Sequence, residues 1–283
     1  MQAGLYIVAT PIGNLGDISS RAVETLGAMD FIAAEDTRVA GKLLSHLGIK
    51  SKLISLHDHN EAGKTAEIAG LIASGKRIGL ISDAGTPLIS DPGFKLVREL
   101  RRKGVFITSV PGACSAINAL VLSGLPSDCF LFAGFVPEKA KARKEFFERH
   151  SNLDATVIFF ESAVRLPLTL KAIAEIMPDR QITIAREMTK LYEEVQSGTA
   201  SDLAAHFKSP KGEIVGLIAP AEKTADNVDA AKIMKRLLKS LPLKEAASTA
   251  ADLFGLNKNE MYDLGLSFRH SGLDPESSRG NEK

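Results

Sequence analysis

The chain has 283 residues, of which 45% are hydrophobic and 24% are charged, and its formal net charge is +1. This balance is typical of a globular protein of about two domains, and the low net charge means that any nucleic-acid surface has to be local. Two cysteines, Cys114 and Cys129, are too few for a disulfide framework and lack metal-ligand spacing. No apolar run approaches the ~20 residues of a membrane helix, and the N-terminal segment lacks signal-peptide features. We therefore expect a cytoplasmic protein.

Short β-rich runs alternate with segments of helical periodicity from residue 1 to residue 124. Strands are expected at Leu5–Thr10, Phe31–Ala34, Lys52–Leu56, Arg77–Ser82 and Phe106–Val110. Helices are expected at Ser19–Met29, Arg38–Leu47, Lys64–Ser74, Gly93–Lys103 and Cys114–Leu122. Strands that alternate with helices form a largely parallel sheet covered on both faces, so this region is predicted to be an α/β lobe.

The alternation resumes after a break at Gly124–Asp128 and continues to residue 221, which predicts a second α/β lobe over residues 125–221. Its strands are expected at Phe130–Ala133, Thr156–Phe160, Gln181–Ala185 and Ile214–Ala219. From residue 222 to 268 the sequence predicts a small helical appendage with helices at Val228–Leu241, Lys244–Phe254 and Asn259–Leu266. The polar residues 269–283 are expected to be disordered.

Two short patterns resemble known sites without meeting their requirements, and a third motif is absent. Gly70–Lys76 approximates a phosphate-binding loop, but Arg77 replaces the required Ser or Thr, and the order of helix and strand is reversed. No Gly-x-Gly-x-x-Gly follows the first strand, which removes the main support for a dinucleotide site. His57 and His59 lack a companion set of ligands, so we predict no metal and leave open a polar loop or substrate contacts there.

The segment Ser82–Gly93 is the most informative loop of the sequence. It follows a buried strand and holds two Asp, two Pro and two Gly, and Asp91-Pro92 favours the start of a helix. Ligands of open α/β sheets bind at the carboxyl ends of strands, where this loop has to lie. It contains no Lys or Arg, which suits a nucleoside without phosphate, although a rigid structural turn is an equal alternative. A second loop of small residues, Val110–Ala116, also leaves a strand and enters a helix.

These loops belong to a set of motifs that resembles a known family. The matching stretches are Ala9–Asp17, Ala34–Arg38, Ser82–Gly93, Val110–Gly112, Leu120–Pro126, Gly134–Pro137, Ala185–Glu194 and Lys211–Glu213. They resemble the tetrapyrrole methylase superfamily of S-adenosylmethionine-dependent methyltransferases, and within it the bacterial ribosomal RNA small subunit methyltransferase I family. They cover about the first 220 residues in the family's order.

The resemblance implies two α/β lobes with S-adenosylmethionine in the cleft between them, in a homodimer. It implies methylation of a cytidine ribose 2′-hydroxyl in the decoding centre of small-subunit (16S) rRNA, free or in the assembled 30S subunit. Carried onto this chain, it implies cofactor contacts at Pro11, Asp83, Gly85, Leu88, Ile89, Ser115 and Ala116, and from the second lobe at Phe160 and Pro220.

The polar residues expected near the ribose are Asp36, Arg38, His59, Glu161 and Arg186. Glu161 is the candidate general base, whereas Asp36–Arg38 and Arg186–Glu187 are equally well interpreted as structural ion pairs. The chain departs from the family at Ala163-Val164, where Pro-His is usual, so a histidine there is not an obligatory base.

Two basic clusters are candidates for contact with RNA. The first cluster comprises Lys139, Lys141, Arg143 and Lys144, and the second comprises Lys232, Lys235, Arg236 and Lys239. The second cluster is predicted to share one helix face, before a Lys244–Leu256 segment that resembles a helix-turn-helix. A solvated face explains either cluster alone. The rival functions are methylation of a tetrapyrrole ring and RNA binding without catalysis.

Overall fold

The computed structural model describes residues 1–57, 60–221 and 230–270, with side chains as far as residue 268. The chain divides into two compact units, Met1–Ala221 and a second that begins at Glu222. Within the described ranges, no helix is long and apolar enough to span a membrane.

The first sheet of the larger unit is parallel throughout. Its strands are β1 (Gly4–Val8), β2 (Phe31–Ala34), β3 (Lys52–Ser55), β4 (Arg77–Ile81) and β5 (Ile107–Val110), in the order β3-β2-β4-β1-β5. The accompanying helices are α1 (Ser20–Gly27), α2 (Thr37–His46), α3 (Glu61–Ala73), α4 (Phe94–Arg102) and α5 (Ser115–Ser123). The predicted α/β class and parallel sheet are confirmed here.

Helices cover both faces of this sheet because alternate residues of each strand point to opposite sides. Leu5 packs in one buried cluster with residues of α3 and α4, including Ile68 and Leu96. Tyr6 and Val8 pack in another. Both faces of β1 are therefore buried, as expected for an apolar run in a parallel sheet.

The second sheet is mixed. Its strands are β6 (Phe130–Phe135), β7 (Thr156–Ser162), β8 (Ile182–Arg186), β9 (Glu194–Gly198) and β10 (Glu213–Ile218), and its helices are α6 (Ala140–His150), α7 (Leu166–Ile176) and α8 (Ala200–His206). The order is β6-β7-β10-β8-β9, in which β6 and β7 are parallel and the remaining pairs are antiparallel. The sequence did not predict β9, because this edge strand is polar and only partly buried.

A close pairing in this sheet joins Gly216 of β10 to Phe159 of β7. The two residues are register partners, and a Cβ built on Gly216 would overlap the Phe159 ring. Phe159 is fully buried and meets Phe147 of α6 edge to face. Gly216 therefore leaves the space that this aromatic core needs.

The loop between β4 and α4 is fixed at both ends. At its start, Thr10 N donates to Gly85 O (2.8 Å) and Gly85 N donates to Thr10 O (3.1 Å). At its end, the buried carboxylate of Glu61 accepts from Leu96 N (3.0 Å) in the first turn of α4. The predicted helix start at Asp91-Pro92 is wrong: α4 begins at Phe94 after Gly93, because Glu61 from α3 satisfies the helix terminus instead of a local side chain.

The described part of the smaller unit is helical, with α9 (Ala230–Leu237), α10 (Leu243–Phe254) and α11 (Lys258–His270). Its core includes Met234, Ala246 and Ala250. Gly255, with φ of 66°, ends α10 in the left-handed conformation. The predicted start of the first helix lies outside the described residues, and α9 ends four residues before the predicted Leu241.

Candidate functional site

A cavity of about 410 Å³ lies in the larger unit, within the usual size range of small-molecule sites. One wall comes from the loops that follow β4 and β5. The other comes from β6, β7 and β10 and from the segments beside them. The lining residues are Ile12, Asp83, Ala84, Gly85, Thr86, Ile89, Ser90, Asp91, Cys114, Ser115, Phe135, Phe160, Glu161, Ser162, Met188, Gly212, Glu213, Ile214 and Val215.

The first wall is built from strained backbone. Leu88 and Ser90 have φ of 74° and 67°, values that non-glycine residues rarely adopt, and Gly85 has φ of 79°. The Thr86 hydroxyl donates to Ala113 O (2.9 Å) and so connects this loop to the loop after β5. Strain of this kind persists only where the surroundings enforce it, and it concentrates at functional sites.

Two aspartates of this wall differ in their environments. Asp83 is exposed, and its Oδ1 accepts from Asp36 N (3.1 Å). Asp91 is partly buried, where burial raises the pKa of its carboxyl to about 6; repulsion from Asp83 adds to the rise and a hydrogen bond with Ser82 opposes it. Sequence reasoning treated Asp91 only as a helix cap and missed its position in the cavity.

The second wall carries aromatic rings. Phe160 lies between Phe132 and Phe135, with ring centroids 4.8 and 5.3 Å away. The pairing of β6 with β7 shifts between Phe132 and Phe135, and Gly134 has φ of 75°. This irregularity turns Phe135 to the mouth of the cavity, where it is 59% exposed. The family resemblance implied Phe160 as a cofactor contact, but nothing in the sequence pattern indicated that Phe135 lines the cavity.

Glu161 is fully engaged by its neighbours. Its Oε1 accepts from Arg165 Nε and from Ser162 N, both at 2.7 Å, and its Oε2 accepts from Thr169 Oγ1 at 2.5 Å. Its side chain is 0% exposed, and Arg165 forms a further ion pair at 2.6 Å. A carboxylate that is buried and ion-paired with Arg165 is not accessible to a substrate proton, so the geometry does not support Glu161 as the general base. It instead joins β7 to α7.

The segment after β8 closes one side of the cavity. Glu187 and Thr189 have φ of 50° and 65°, and Met188 between them is buried and lines the cavity. Lys190 Nζ contacts Glu187 Oε1 (2.8 Å) and Glu213 Oε2 (3.1 Å). These ion pairs hold the segment against the start of β10.

The remaining predicted catalytic residues form structural pairs or lie outside the described ranges. Arg38 binds Asp36 through Nε and Nη2, with a shortest distance of 2.6 Å, and this contact holds the Asp36 pKa far below its usual range. Arg186 pairs with Glu194 (2.9 Å) rather than with Glu187, because β9 lies beside β8. Neither Asp36, Arg38 nor Arg186 lines the cavity. His59 lies outside the described residues.

Five of the nine predicted cofactor contacts line the cavity, namely Asp83, Gly85, Ile89, Ser115 and Phe160. Pro11, Leu88, Ala116 and Pro220 are not among the lining residues. Leu88 packs on the core beneath the loop, and Ala116 is a buried residue of α5. Both support the wall from behind rather than forming its surface.

The two basic clusters also differ. Arg143 is only 7% exposed and donates to Glu138 O (2.6 Å), so it does not share a surface with Lys139, Lys141 and Lys144. The second cluster is exposed in all four residues, opposite buried Met234. Lys239 lies in the turn after α9 rather than on the helix.

The chemistry of the lining fits a ligand with positive charge. Of the described residues, no Lys, Arg or His lines the cavity, whereas four acidic residues do, although the side chain of one of them, Glu161, is 0% exposed. The sulfonium and amino groups of S-adenosylmethionine are such charges, and it carries no phosphate to require a cationic cradle. No cluster of His, Cys, Asp and Glu able to hold a metal ion occurs in the part of the chain that the structure describes.

Solved structures share the fold of the larger unit. Diphthine synthase matches with a TM-score of 0.61 at 14% identity, covering 76% of this chain and 89% of that one. The uroporphyrin-III-C-methyltransferase from Thermus thermophilus matches with a TM-score of 0.53 at 20% identity, covering 76% and 94%. At these identities the likeness shows the fold alone.

Sequence comparison identifies the family. The family of tetrapyrrole (corrin/porphyrin) methylases matches residues 4–204, and an RsmI C-terminal HTH domain matches residues 224–269. A ribosomal RNA small subunit methyltransferase I from Haemophilus influenzae is 48% identical over 272 residues, covering 93% of this chain and 96% of the relative. The protein of the same name from Escherichia coli O157:H7 is 44% identical over 273 residues, covering 94% and 95%. The chain therefore belongs to the ribosomal RNA small subunit methyltransferase I family, within the tetrapyrrole methylases.

Proposed function

We propose that the chain transfers a methyl group from S-adenosylmethionine, the donor used in this family, to the ribose 2′-hydroxyl of a cytidine in small-subunit rRNA. The observation that carries the proposal is the match to relatives of that name over nearly the whole chain, the C-terminal unit included. The cavity supports it, because its lining suits a cationic donor without phosphate.

The residues of the cavity have distinct proposed roles. Asp83, Gly85, Ile89, Ser115 and Phe160 are the proposed contacts to the donor. Methyl transfer from a sulfonium is an in-line displacement, so positioning of the two reactants is expected to supply most of the acceleration, up to roughly 7–11 kcal/mol.

The exposed ring of Phe135 supports a nucleotide acceptor. Enzymes that modify nucleotides within folded RNA commonly unstack the target, and aromatic side chains then receive the freed base. Phe135 stands at the cavity mouth with more than half of its surface exposed, beside the proposed donor contact Phe160. It is the proposed platform for the cytosine.

The second basic cluster is the proposed main RNA contact. Lys235, Arg236 and Lys239 are exposed and have no carboxylate partner among the described residues, whereas Lys141 and Lys144 of α6 each lie 3.9 Å from a glutamate one turn further on. Phosphate contacts need cations that are not already neutralised. The first cluster, reduced to Lys139, Lys141 and Lys144, is a weaker candidate.

A homodimer and a cytoplasmic location complete the proposal. Several large apolar side chains of the larger unit are exposed, among them Val121 (76%) and Leu191 (88%). An apolar surface of this kind is suited to a second copy of the chain. Sedimentation of the purified protein measures the oligomeric state directly, and a monomer at micromolar concentration would contradict the homodimer.

The decisive experiment is transfer of a tritiated methyl group from S-adenosylmethionine to three acceptors: intact small ribosomal subunits, naked small-subunit rRNA and a free tetrapyrrole. We expect label in RNA, recovered after digestion as 2′-O-methylcytidine. Label in the tetrapyrrole alone, or on a base, would refute the proposal. Binding of RNA without any transfer would identify a non-catalytic protein.

The RNA contact has a separate test in two matched variants. Replacing Lys235 and Arg236 by Ala is expected to weaken binding and to reduce the salt dependence of log K by about one unit per residue. Replacing Lys141 and Lys144 by Ala should have a smaller effect, because both are paired. Equal losses in the two variants would contradict the choice of the second cluster.

A further inference from the structure

Four acidic residues line the cavity, and three of them are committed to other contacts. Glu161 is enclosed by Arg165, Ser162 and Thr169. Glu213 is paired with Lys190 at 3.1 Å and its side chain is 73% exposed. Each is therefore unsuited to receive a proton from a bound substrate.

Asp83 and Asp91 both lie in the loop after β4, but they differ in exposure and in their hydrogen-bond partners. Asp83 is exposed and accepts a backbone hydrogen bond from Asp36. Asp91 is partly buried, has the Ser82 hydroxyl as its hydrogen-bond partner, and forms no ion pair with a cation of the described ranges. It is the only one of the four lining carboxylates that is both sheltered from water and unpaired.

We propose that Asp91 is the general base that accepts the proton of the ribose 2′-hydroxyl, an assignment that rests on the proposed function. As the proton moves to the Asp91 carboxylate, the 2′-oxygen bonds to the methyl carbon. The bond between that carbon and sulfur breaks, and its electron pair remains on the sulfur, which becomes neutral. Asp91 then releases the proton to water.

The surroundings of Asp91 favour this role. Burial raises the pKa of the Asp91 carboxyl to about 6, which is close to neutral pH. At neutral pH the group is still mostly ionised and can accept a proton. The other titratable groups that line the cavity are Asp83 and Cys114 on the same wall and Glu161 and Glu213 opposite. None is a cation that would hold Asp91 permanently ionised. The strained residues Leu88 and Ser90 fix the backbone on its N-terminal side.

The test compares Asp91→Asn with Asp83→Asn in single-turnover methyl transfer to small ribosomal subunits. Asp91→Asn is expected to reduce the transfer rate about 10²–10⁴-fold while the calorimetric affinity for S-adenosylmethionine stays within a few-fold. The wild-type rate should rise tenfold per pH unit at low pH and level off no higher than about 6, because the bound sulfonium favours the ionised carboxylate, and Asp91→Asn should lose this dependence. Asp83→Asn should retain it and weaken donor affinity instead.

Two further measurements keep the assignment separable from the proposed function. Carbon-13 NMR of the carboxyl groups in donor-free protein should show one resonance that titrates near pH 6 and is missing in Asp91→Asn. Asp91→Glu should recover part of the rate, because it restores a carboxylate one methylene away. Unchanged rate in Asp91→Asn, a parallel loss of donor affinity, or an Asp91 resonance that titrates near pH 4 would each overturn the assignment. A wild-type protein that labels no small-subunit RNA would overturn the proposed function instead.

Discussion

The two walls of the cavity are constructed in different ways. The wall after β4 and β5 consists of loops, with non-glycine residues in left-handed conformations and the carboxyl group of Asp91, which has no cationic partner among the described residues. The wall from β7 and β10 consists of strands. The buried Glu161 of this wall is paired with Arg165 and Thr169, and Phe159 of β7 packs edge to face on Phe147. The loop wall therefore holds the strained backbone and the proposed reactive carboxyl group, whereas the strand wall is rigid. Substitutions in the strand wall should therefore act mainly on stability, and those in the loop wall mainly on ligands.

The largest expected effect is on stability in the strand wall. Glu161→Ala removes the acceptor of Arg165 and Thr169 and leaves Arg165 without its buried partner, which is expected to cost about 3–5 kcal/mol of unfolding free energy. Glu138→Ala is the matched control: Glu138 binds the same Arg165 at 3.3 Å but its side chain is 86% exposed, so the loss should be under about 1 kcal/mol. Urea unfolding measures both. Similar losses in the two variants would contradict the contrast.

Gly216→Ala should follow, because its Cβ would overlap the buried Phe159 ring. Overpacking of this kind is expected to cost about 1–3 kcal/mol. Gly70→Ala in α3, where nothing lies within 4 Å of the new Cβ, should instead stabilise the protein by about 0.4–1 kcal/mol. Thermal unfolding of the two variants would show shifts of opposite sign. A neutral Gly216→Ala would mean that the strand wall is not rigid.

In the loop wall, Gly85→Ala should affect the ligand as well as the fold. At φ of 79° the new side chain costs roughly 1–2 kcal/mol, and it would lie 3.2 Å from Ile12 Cγ2 at the cavity surface. Gly75→Ala has a similar φ of 90° with nothing within 4 Å, and it does not line the cavity. Calorimetry should show about tenfold weaker binding of S-adenosylmethionine for Gly85→Ala and no change for Gly75→Ala. Equal affinities would remove Gly85 from the proposed contacts.

A further effect in the loop wall concerns pH. The Asp91 carboxyl has its folded-state pKa raised to about 6 from 3.8, so the folded state binds the proton more tightly than the unfolded state does. The group therefore lowers stability as pH rises from about 4 to 6, and Asp91→Asn should be more stable than wild type above that range. Melting temperatures at pH 4 and pH 8 test this sign. A variant less stable at pH 8 would indicate that Asp91 has a structural partner.

The sequence predicted what depends on local pattern. Runs such as Phe31–Ala34 and Arg77–Ile81 are apolar on both faces, so their place in a parallel sheet could be read directly. The mixed second sheet could not, because Glu194–Gly198 is a polar edge strand whose pairing with β8 is decided by its neighbours. Periodicity indicates the type of an element but not its partner.

In the candidate site, too, local pattern was predictable and the consequences of packing were not. The loop Ser82–Gly93 was recognisable from its composition, but the roles of Asp91 and Glu161 were not. Asp91 has the sequence context of a helix cap, and the distant Glu61 displaces it from that role. Glu161 stands at a strand end that lines the cavity, yet the residues that enclose it come from the following helix. Direction and burial of a side chain depend on packing, which no single-sequence pattern reports.

The fixing of the loop after β4 at both ends has a thermodynamic consequence. The Thr10–Gly85 backbone pair holds its first residues, and the Glu61–Leu96 hydrogen bond holds the helix that follows it. A loop that is already ordered loses little conformational entropy when a ligand arrives. In a mobile loop, part of the binding free energy would be offset by the entropy lost when the loop becomes ordered. Here that part can instead contribute to aligning the two reactants. Removing the Glu61 carboxylate would break a hydrogen bond between residues that are 35 positions apart in sequence. It should therefore make the entropy of ligand binding less favourable without altering any atom of the cavity surface.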